Sequence, residues 1–263
     1  MGIYSDYPGN LYKNDVGIYA EGVYKDRGIY KEGAGGGDLQ KCFFLTYFDN
    51  FNTSIGADIP IIGDPYTLDV SKQRLTRSSL NLFGGTCPAL KDEYIQEEYT
   101  GFSKIIPDDV EFISAELFVL CEGDRNDFGS VLRIGVDNLT LDPYLSSTEF
   151  VTFGPYYDGS ASNYTMFNDT TRSMKTFFKF GKNIRYKISH LASTYDVQNK
   201  TIRFYVDGDI MLEIRNYEKS RCGFGVQQNN TGKSFTLTGV AFFNFDKSTN
   251  GGMNYPIPTE RYA

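Results

Sequence analysis

At 263 residues, 16% of them aromatic and 27 of them Gly, the chain has room for one large β domain and a small appendage. A net charge of −7 supplies no basic surface for a phosphate backbone and excludes nucleic acid as an expected partner. One His and four scattered Cys argue against a zinc site or a dense disulfide framework, and no run of about 18 apolar residues offers a membrane span.

The first 37 residues differ from all that follows. Gly2-Ile3-Tyr4, Gly17-Ile18-Tyr19, Gly22-Val23-Tyr24 and Gly28-Ile29-Tyr30 repeat a Gly-aliphatic-Tyr unit at irregular spacing, and Leu11-Tyr12-Lys13 shares the Lys ending of the last two. In an extended backbone each unit sets its aliphatic and aromatic side chains on opposite faces, and none is long enough to close a core. Leaving Ile3, Tyr4, Leu11, Tyr12, Ile18, Tyr19, Val23, Tyr24, Ile29 and Tyr30 in water is unfavourable. Residues 1–37 are therefore expected to form a docking arm, seated on a neighbouring subunit or folded back on its own, with Ala34-Gly35-Gly36-Gly37 as hinge. Met1 to Asp6 lacks both the basic and the apolar segment of a secretory leader.

The main domain is expected over 38–263. Phe43 to Phe48 is apolar on both alternating faces, which suits a central strand or one covered by the arm. Up to Glu98 the period weakens: Ile59 to Pro65 reads as loop, Arg74 to Phe83 as a short strand and Tyr94-Ile95-Gln96 as another. Alternation returns where Leu117, Val119 and Cys121 oppose Glu116, Phe118 and Leu120, and again at Leu132, Ile134 and Val136. Phe150 to Phe153 and Met174 to Phe180 are strands flanking a polar-aromatic loop, Gly154 to Thr171. Tyr186 and Ile188 open the clearest stretch. There Ile202, Phe204 and Val206 alternate with Thr201, Arg203 and Tyr205, Asp207-Gly208 tolerates positive φ at both turn positions, and Ile210, Leu212 and Ile214 resume the alternation. Ser234 to Phe245 ends the pattern. About ten to thirteen strands and no helix predict an all-β, two-sheet antiparallel jelly-roll sandwich with an extended N-terminal arm. The four Cys are expected as free, mostly buried thiols, and His190 as a half-buried, hydrogen-bonded strand end.

Tyr186-Lys187-Ile188-Ser189-His190, Tyr195-Asp196-Val197, Thr201 through Gly208 and Phe235 through Phe243 resemble the concanavalin A-like lectin/glucanase superfamily. In its laminin-G-type members a strand ending Tyr-Val-Asp-Gly precedes a hairpin, and the last strand returns small and apolar residues to the sheet. The resemblance covers about residues 39–247 and implies a concanavalin A-like jelly roll. The arm is similar to Gly-aliphatic-Tyr repeats at the termini of tailed-bacteriophage virion proteins, which implies an anchored appendage.

Glucanases of that superfamily carry paired carboxylates on one strand, about 5–5.5 Å apart. Here Glu111 and Glu116 lack the central Asp and, five positions apart, fall on opposite faces of a strand. No catalytic residue is assigned and no enzyme is expected. Asp124, Asn126 and Asp127 offer oxygen ligands of a kind that hold Ca²⁺, but so short an acidic loop is ordinarily just solvated, so neither a metal nor another cofactor is expected. Tyr156, Tyr157, Asp158, Asn163 and Tyr164 put aromatic faces beside hydrogen-bonding groups, a composition that suits a glycan, a subunit interface or an ordinary turn-rich loop. The combined expectation is a non-enzymatic phage virion protein, located in the particle. It would be a homo-oligomeric tail, fibre or baseplate appendage held to other virion proteins by its arm and touching host-surface carbohydrate. A capsid-decorating protein and a free-standing carbohydrate-binding lectin are the alternatives.

Overall fold

The computed structural model describes residues 18–20, 41–67, 74–93, 100–105, 110–122, 132–135, 150–155, 163–168, 175–180, 184, 186–215, 223–228 and 234–262. No α-helix occurs among them. The strands, in chain order, are β1 (Ile18–Ala20), β2 (Cys42–Thr46), β3 (Ala57–Asp58), β4 (Tyr66–Thr67), β5 (Arg74–Leu82), β6 (Gly85–Glu93), β7 (Thr100–Ile105), β8 (Phe112–Glu122), β9 (Leu132–Gly135), β10 (Phe150–Pro155), β11 (Asn163–Asn168), β12 (Lys175–Phe180), β13 (Ile188–Asp196), β14 (Thr201–Val206), β15 (Asp209–Ile214), β16 (Gly223–Gln228) and β17 (Ser234–Phe243).

These strands form two large antiparallel sheets, the expected jelly-roll sandwich. The wider sheet runs β1-β15-β14-β13-β8-β17-β6-β5, with β2 also on β17; the narrower runs β12-β11-β10-β9-β16-β7, and β3 and β4 form a separate two-stranded sheet. The two large sheets approach each other where β13 passes β9. One face of the wider sheet carries the main core, built from Ile113, Leu117 and Val119 of β8, Leu191 and Tyr195 of β13, Ile202, Phe204 and Val206 of β14, and Leu237 and Phe242 of β17. The period-2 pattern puts each of these on one side of its strand.

Strand β17 is the organising strand. It pairs with β8 along most of its length, with β6 through Ser234–Leu237 and with β2 through Val240–Phe243. Pro88 lies where β6 leaves β17; it has no N–H to give a ladder, and its carbonyl accepts the Thr238 hydroxyl at 2.6 Å. A bulge occurs at the same place. Thr238 faces Phe118 and Ala241 faces Glu116, so Gly239 and Val240 together oppose one residue. Gly239 has φ 60°, and a Cβ there would stand 3.3 Å from both Phe118 and Tyr47. The extra residue moves the apolar set from odd to even positions, so Leu237 and Val240 share the main core while Ala241 and Phe243 join Cys42, Leu45 and Tyr47 in a second cluster.

The expected hairpin is present, with Asp207 at φ 49° and Gly208 at φ 84°. Its return strand corrects the expectation of one apolar face for Ile210, Leu212 and Ile214. Leu212 pairs with Phe204 but Ile210 with Tyr205, leaving Met211 as an inserted residue. Leu212 therefore stays in the main core, and Ile210 turns to a cluster with Ala192, Tyr205 and Tyr255. Strand β13 begins at Ile188, later than expected, because Tyr186 is a turn residue with φ 55° and is 57% exposed. The chain then leaves the wider sheet for β16 and returns as β17 between β8 and β6, so the last four expected strands are not neighbours in order.

Strands β6, β7, β11 and β16 were not expected; β11 lies within the stretch read as the Gly154 to Thr171 loop. The hinge Ala34 to Gly37, Tyr94-Ile95-Gln96 and Val136 lie outside the described residues. Cys42, Cys87 and Cys121 are buried thiols, as expected; Cys222 lies outside the described residues.

Phe204 is fully buried in the main core. Phe204→Ala is expected to lower unfolding free energy by about 3–5 kcal/mol, read from a shifted denaturant midpoint at unchanged slope.

Candidate functional site

The face of the wider sheet opposite the main core is covered by the chain's own C-terminal segment, residues 244–262. The segment starts with the Asn244 N–H bonded to the Lys41 carbonyl at 3.0 Å. The Ser114 hydroxyl, from β8, donates to the Phe245 carbonyl at 2.7 Å and accepts the Lys247 N–H at 3.0 Å. The Tyr205 hydroxyl donates to the Gly252 carbonyl at 2.8 Å, and the Tyr255 N–H to the Gly208 carbonyl at 2.9 Å. Near the end, the Tyr262 N–H reaches the Tyr47 hydroxyl at 2.9 Å, while Arg261 pairs with Asp49 and lies 4.3 Å over the Tyr47 ring. These bonds satisfy the polar backbone of an irregular segment that crosses an apolar face.

Glu116, pointing from β8 into this cover, is the centre of the arrangement. Lys247 Nζ lies 3.2 Å from its Oε1 and 3.0 Å from its Oε2, and the Tyr262 hydroxyl donates to Oε1. The ammonium also sits 4.2 Å over the Phe243 ring. Glu116 is 1% exposed and Lys247 5%. Burial drives the Glu116 carboxyl up, but the Lys247 ammonium and, after it, neighbouring His190 and the Tyr262 hydroxyl outweigh this and hold it at about 2. The Tyr255 hydroxyl is pushed up by burial and by the Glu116 charge, and burial raises the Cys42 thiol to about 11.

His190 differs from expectation. It is the third residue of β13, 2% exposed, with its ring 4.9 Å from Phe118 and 5.7 Å from Tyr255. Its Nε2 stands 3.7 Å from Glu116 Oε2, too far for a hydrogen bond, and neither ring nitrogen has a hydrogen-bond partner among the described residues. The wider sheet is continued on both sides of β13, so a residue expected at a strand end is enclosed instead.

Chemically, this arrangement is a clasp. The carboxylate is ionised, both of its oxygens are engaged, and the Cys42 thiol beside it stays protonated at neutral pH. Glu111 is exposed just ahead of β8 and does not face Glu116 across a cleft.

The second feature is the β15 side of the wider sheet. Of the ten arm residues, Ile18 and Tyr19 are described: with Ala20 they form β1, antiparallel to β15, with Ile18 opposite Ile214, Tyr19 opposite Glu213 and Ala20 opposite Leu212. Glu213 receives Arg203 Nε at 2.7 Å and Arg215 Nε at 2.6 Å, and Leu212 is buried. This part of the arm thus lies on its own chain. Ile3, Tyr4, Leu11, Tyr12, Val23, Tyr24, Ile29 and Tyr30 lie outside the described residues.

Of the candidate glycan residues, Asn163 and Tyr164 are the first two positions of β11, opposite Pro155 and Gly154 of β10. Tyr156, Tyr157 and Asp158, in the connection between those paired strands, lie outside the described residues, as do Asp124, Asn126 and Asp127. Among the described residues no three His, Cys, Asp or Glu are grouped to hold a metal ion. The sequence reading missed the C-terminal cover. Its one available signal was Glu116 itself, a charge directly ahead of the apolar run Leu117 to Cys121, which requires a buried partner.

Lys247→Met leaves the Glu116 carboxylate unpaired and is expected to cost about 3–5 kcal/mol in denaturant unfolding, with most of the loss restored by adding Glu116→Leu. Glu116 titrates near 4.5 once exposed but at about 2 when folded, so the unfolded chain binds more protons between these values. The stability contributed by this group is complete above about pH 4.5 and is lost as pH falls toward about 2. Across that window Glu116→Gln is expected to show a shallower fall in stability than the natural chain.

No family model matches the chain, and no curated protein matches it in sequence. Among solved structures it is similar to the carbohydrate recognition domain of Emp46p in its potassium-bound form, at 14% identity over 68% of this chain and 91% of that one, TM-score 0.44. It is also similar to the lectin from Bauhinia forficata in complex with GalNAc, at 9% identity over 66% and 93%, TM-score 0.45. The globular domain of T. cruzi calreticulin is similar at 10% identity over 78% and 89%, TM-score 0.46. The fold assignment rests on strand order and register in this chain, independently of these likenesses.

Proposed function

We propose that this chain is a non-enzymatic structural component of a tailed-bacteriophage virion, an appendage of tail, fibre or baseplate fastened by residues 1–37. The observation that carries the reading is β1: a Gly-aliphatic-Tyr unit too short to fold alone becomes a strand by adding to a sheet margin. The arm contains further units of the same kind, and each is suited to the margin of another virion protein. The non-enzymatic part of the reading draws support from Glu116, whose carboxylate is buried and fully engaged.

Contact with host-surface carbohydrate is assigned to the β10–β11 connection. Pro155 faces Asn163 across that hairpin, and Tyr156, Tyr157 and Asp158 fall between them in the sequence. Aromatic faces beside amide and carboxylate groups suit a sugar ring.

Deleting residues 1–37 is expected to leave a soluble, cooperatively unfolding protein that no longer enters particles; normal incorporation of the truncated chain would refute the arm's role. Tyr156→Ala with Tyr157→Ala is expected to abolish retention on a glycan array while leaving incorporation intact. Glycan retention by the truncated chain, combined with undisturbed particles when the gene is removed, would favour a free-standing lectin.

A further inference from the structure

We propose that the β15 margin is an exchange site between copies of this chain: the strand Ile18–Ala20 of one copy seats on β15 of another, in the register it takes on its own, and links copies into a homo-oligomer. The inference rests on the arm-docking reading above and names the partner of one arm unit.

The first argument is topological. Strand β1 lies at one margin of the wider sheet, whereas β2, the next strand of that sheet in sequence, lies on the far side of β15, β14, β13, β8 and β17. Six interstrand spacings separate them, about 29 Å at the usual separation of paired strands. Residues 21–41 connect the two, and a stretch of that length reaches about 70 Å when extended. A domain of this size has a radius of gyration of about 17 Å. The connection is thus long enough to cross its own sheet with length to spare, and equally long enough to reach the β15 margin of an adjoining copy.

The second argument concerns retention. Among the described residues β1 pairs with β15 at three positions, and a typical backbone hydrogen bond contributes a net of about 0.5–1.5 kcal/mol. The closed and exchanged forms make the same pairs, so their balance depends on the tether and on the local concentration of free margins. Packing many copies into one assembly raises that concentration and favours exchange.

The third argument concerns fit. The position opposite Leu212 takes Ala20, a small residue beside a buried side chain. In the aligned units this position is Ser5, Lys13, Lys25 and Lys31. A lysine there brings a charge to the core side of the margin, so the units containing Ile18 and Ile3 fit β15 and the three Lys-ending units, with Lys13, Lys25 and Lys31, do not. The position of Tyr19 faces Glu213, which Arg203 and Arg215 hold in place.

Residues directly opposite each other on antiparallel strands have Cβ atoms about 4.5–5.5 Å apart, close to disulfide range. The full-length chain is prepared with Cys222→Ser and either Tyr19→Cys or Glu213→Cys, or with both. The two single variants are mixed and oxidised, then read on a non-reducing gel and by mass spectrometry of the linked peptides. Exchange predicts a linked pair of chains joining position 19 of one to position 213 of the other, increasing with protein concentration, and linked multimers from the double variant. No linked pair from the mixture, together with a double variant that closes only on itself, would overturn exchange and leave arm docking intact. If the double variant forms no 19–213 disulfide of either kind, the β1 pairing is absent and both readings fall.

Discussion

A carboxylate in the middle of a wide sheet sets the terms for the chain that follows it. Glu116 lies on β8, with further strands on both sides, and is only 1% exposed. Ionised and alone it would cost far more than a domain has to spare, so it needs a cation and a donor brought to it. Lys247 and Tyr262 are both supplied by the segment after the last strand. The C-terminal course is therefore part of the fold: it satisfies Glu116, covers His190 and Tyr205, and turns a sheet face that would otherwise be an open apolar surface into a second interior.

That covering limits where a partner can bind. With the main core on one face of the wider sheet and residues 244–262 on the other, the margins of the sheet are what it offers for main-chain pairing. A margin strand with unpaired N–H and C=O groups is a template for another strand, and short edge units are one way of managing it. Strand β1 occupies the margin at β15 and so covers this edge with the chain's own backbone.

Much of the fold was legible because one-face burial writes a period of two into the sequence, and the β14 positions Ile202, Phe204 and Val206 follow it without interruption. The Asp207-Gly208 turn was legible because few residues tolerate positive φ in succession. Legibility failed where a strand changes phase. Met211 and the Gly239-Val240 pair each insert one residue, and after each the apolar positions switch parity, so a reader counting by twos assigns Ile210 to the wrong face. Strand β6 was hidden by Pro88, which argues against a strand until its place beside the gap between β6 and β2 is known. Strand β11 was hidden by its Asn, Tyr and Thr, which read equally well as loop.

The site was less legible than the fold because its parts are far apart in sequence. Glu116 and Lys247 are separated by 131 positions, and neither residue alone indicates the other. The arm behaved in the opposite way, since a repeated unit with one aliphatic and one aromatic residue declares that it needs a surface even though it does not say which. The register of β1 supplies that missing part. Opposite Ala20 is a buried leucine and opposite Tyr19 a carboxylate already held by two arginines, so under the proposed docking the margin selects a unit by size at one position and by polarity at the next. Selection at alternate positions is what main-chain pairing alone lacks, and it is why a three-residue strand can carry specificity even where its hydrogen bonds contribute little net stability.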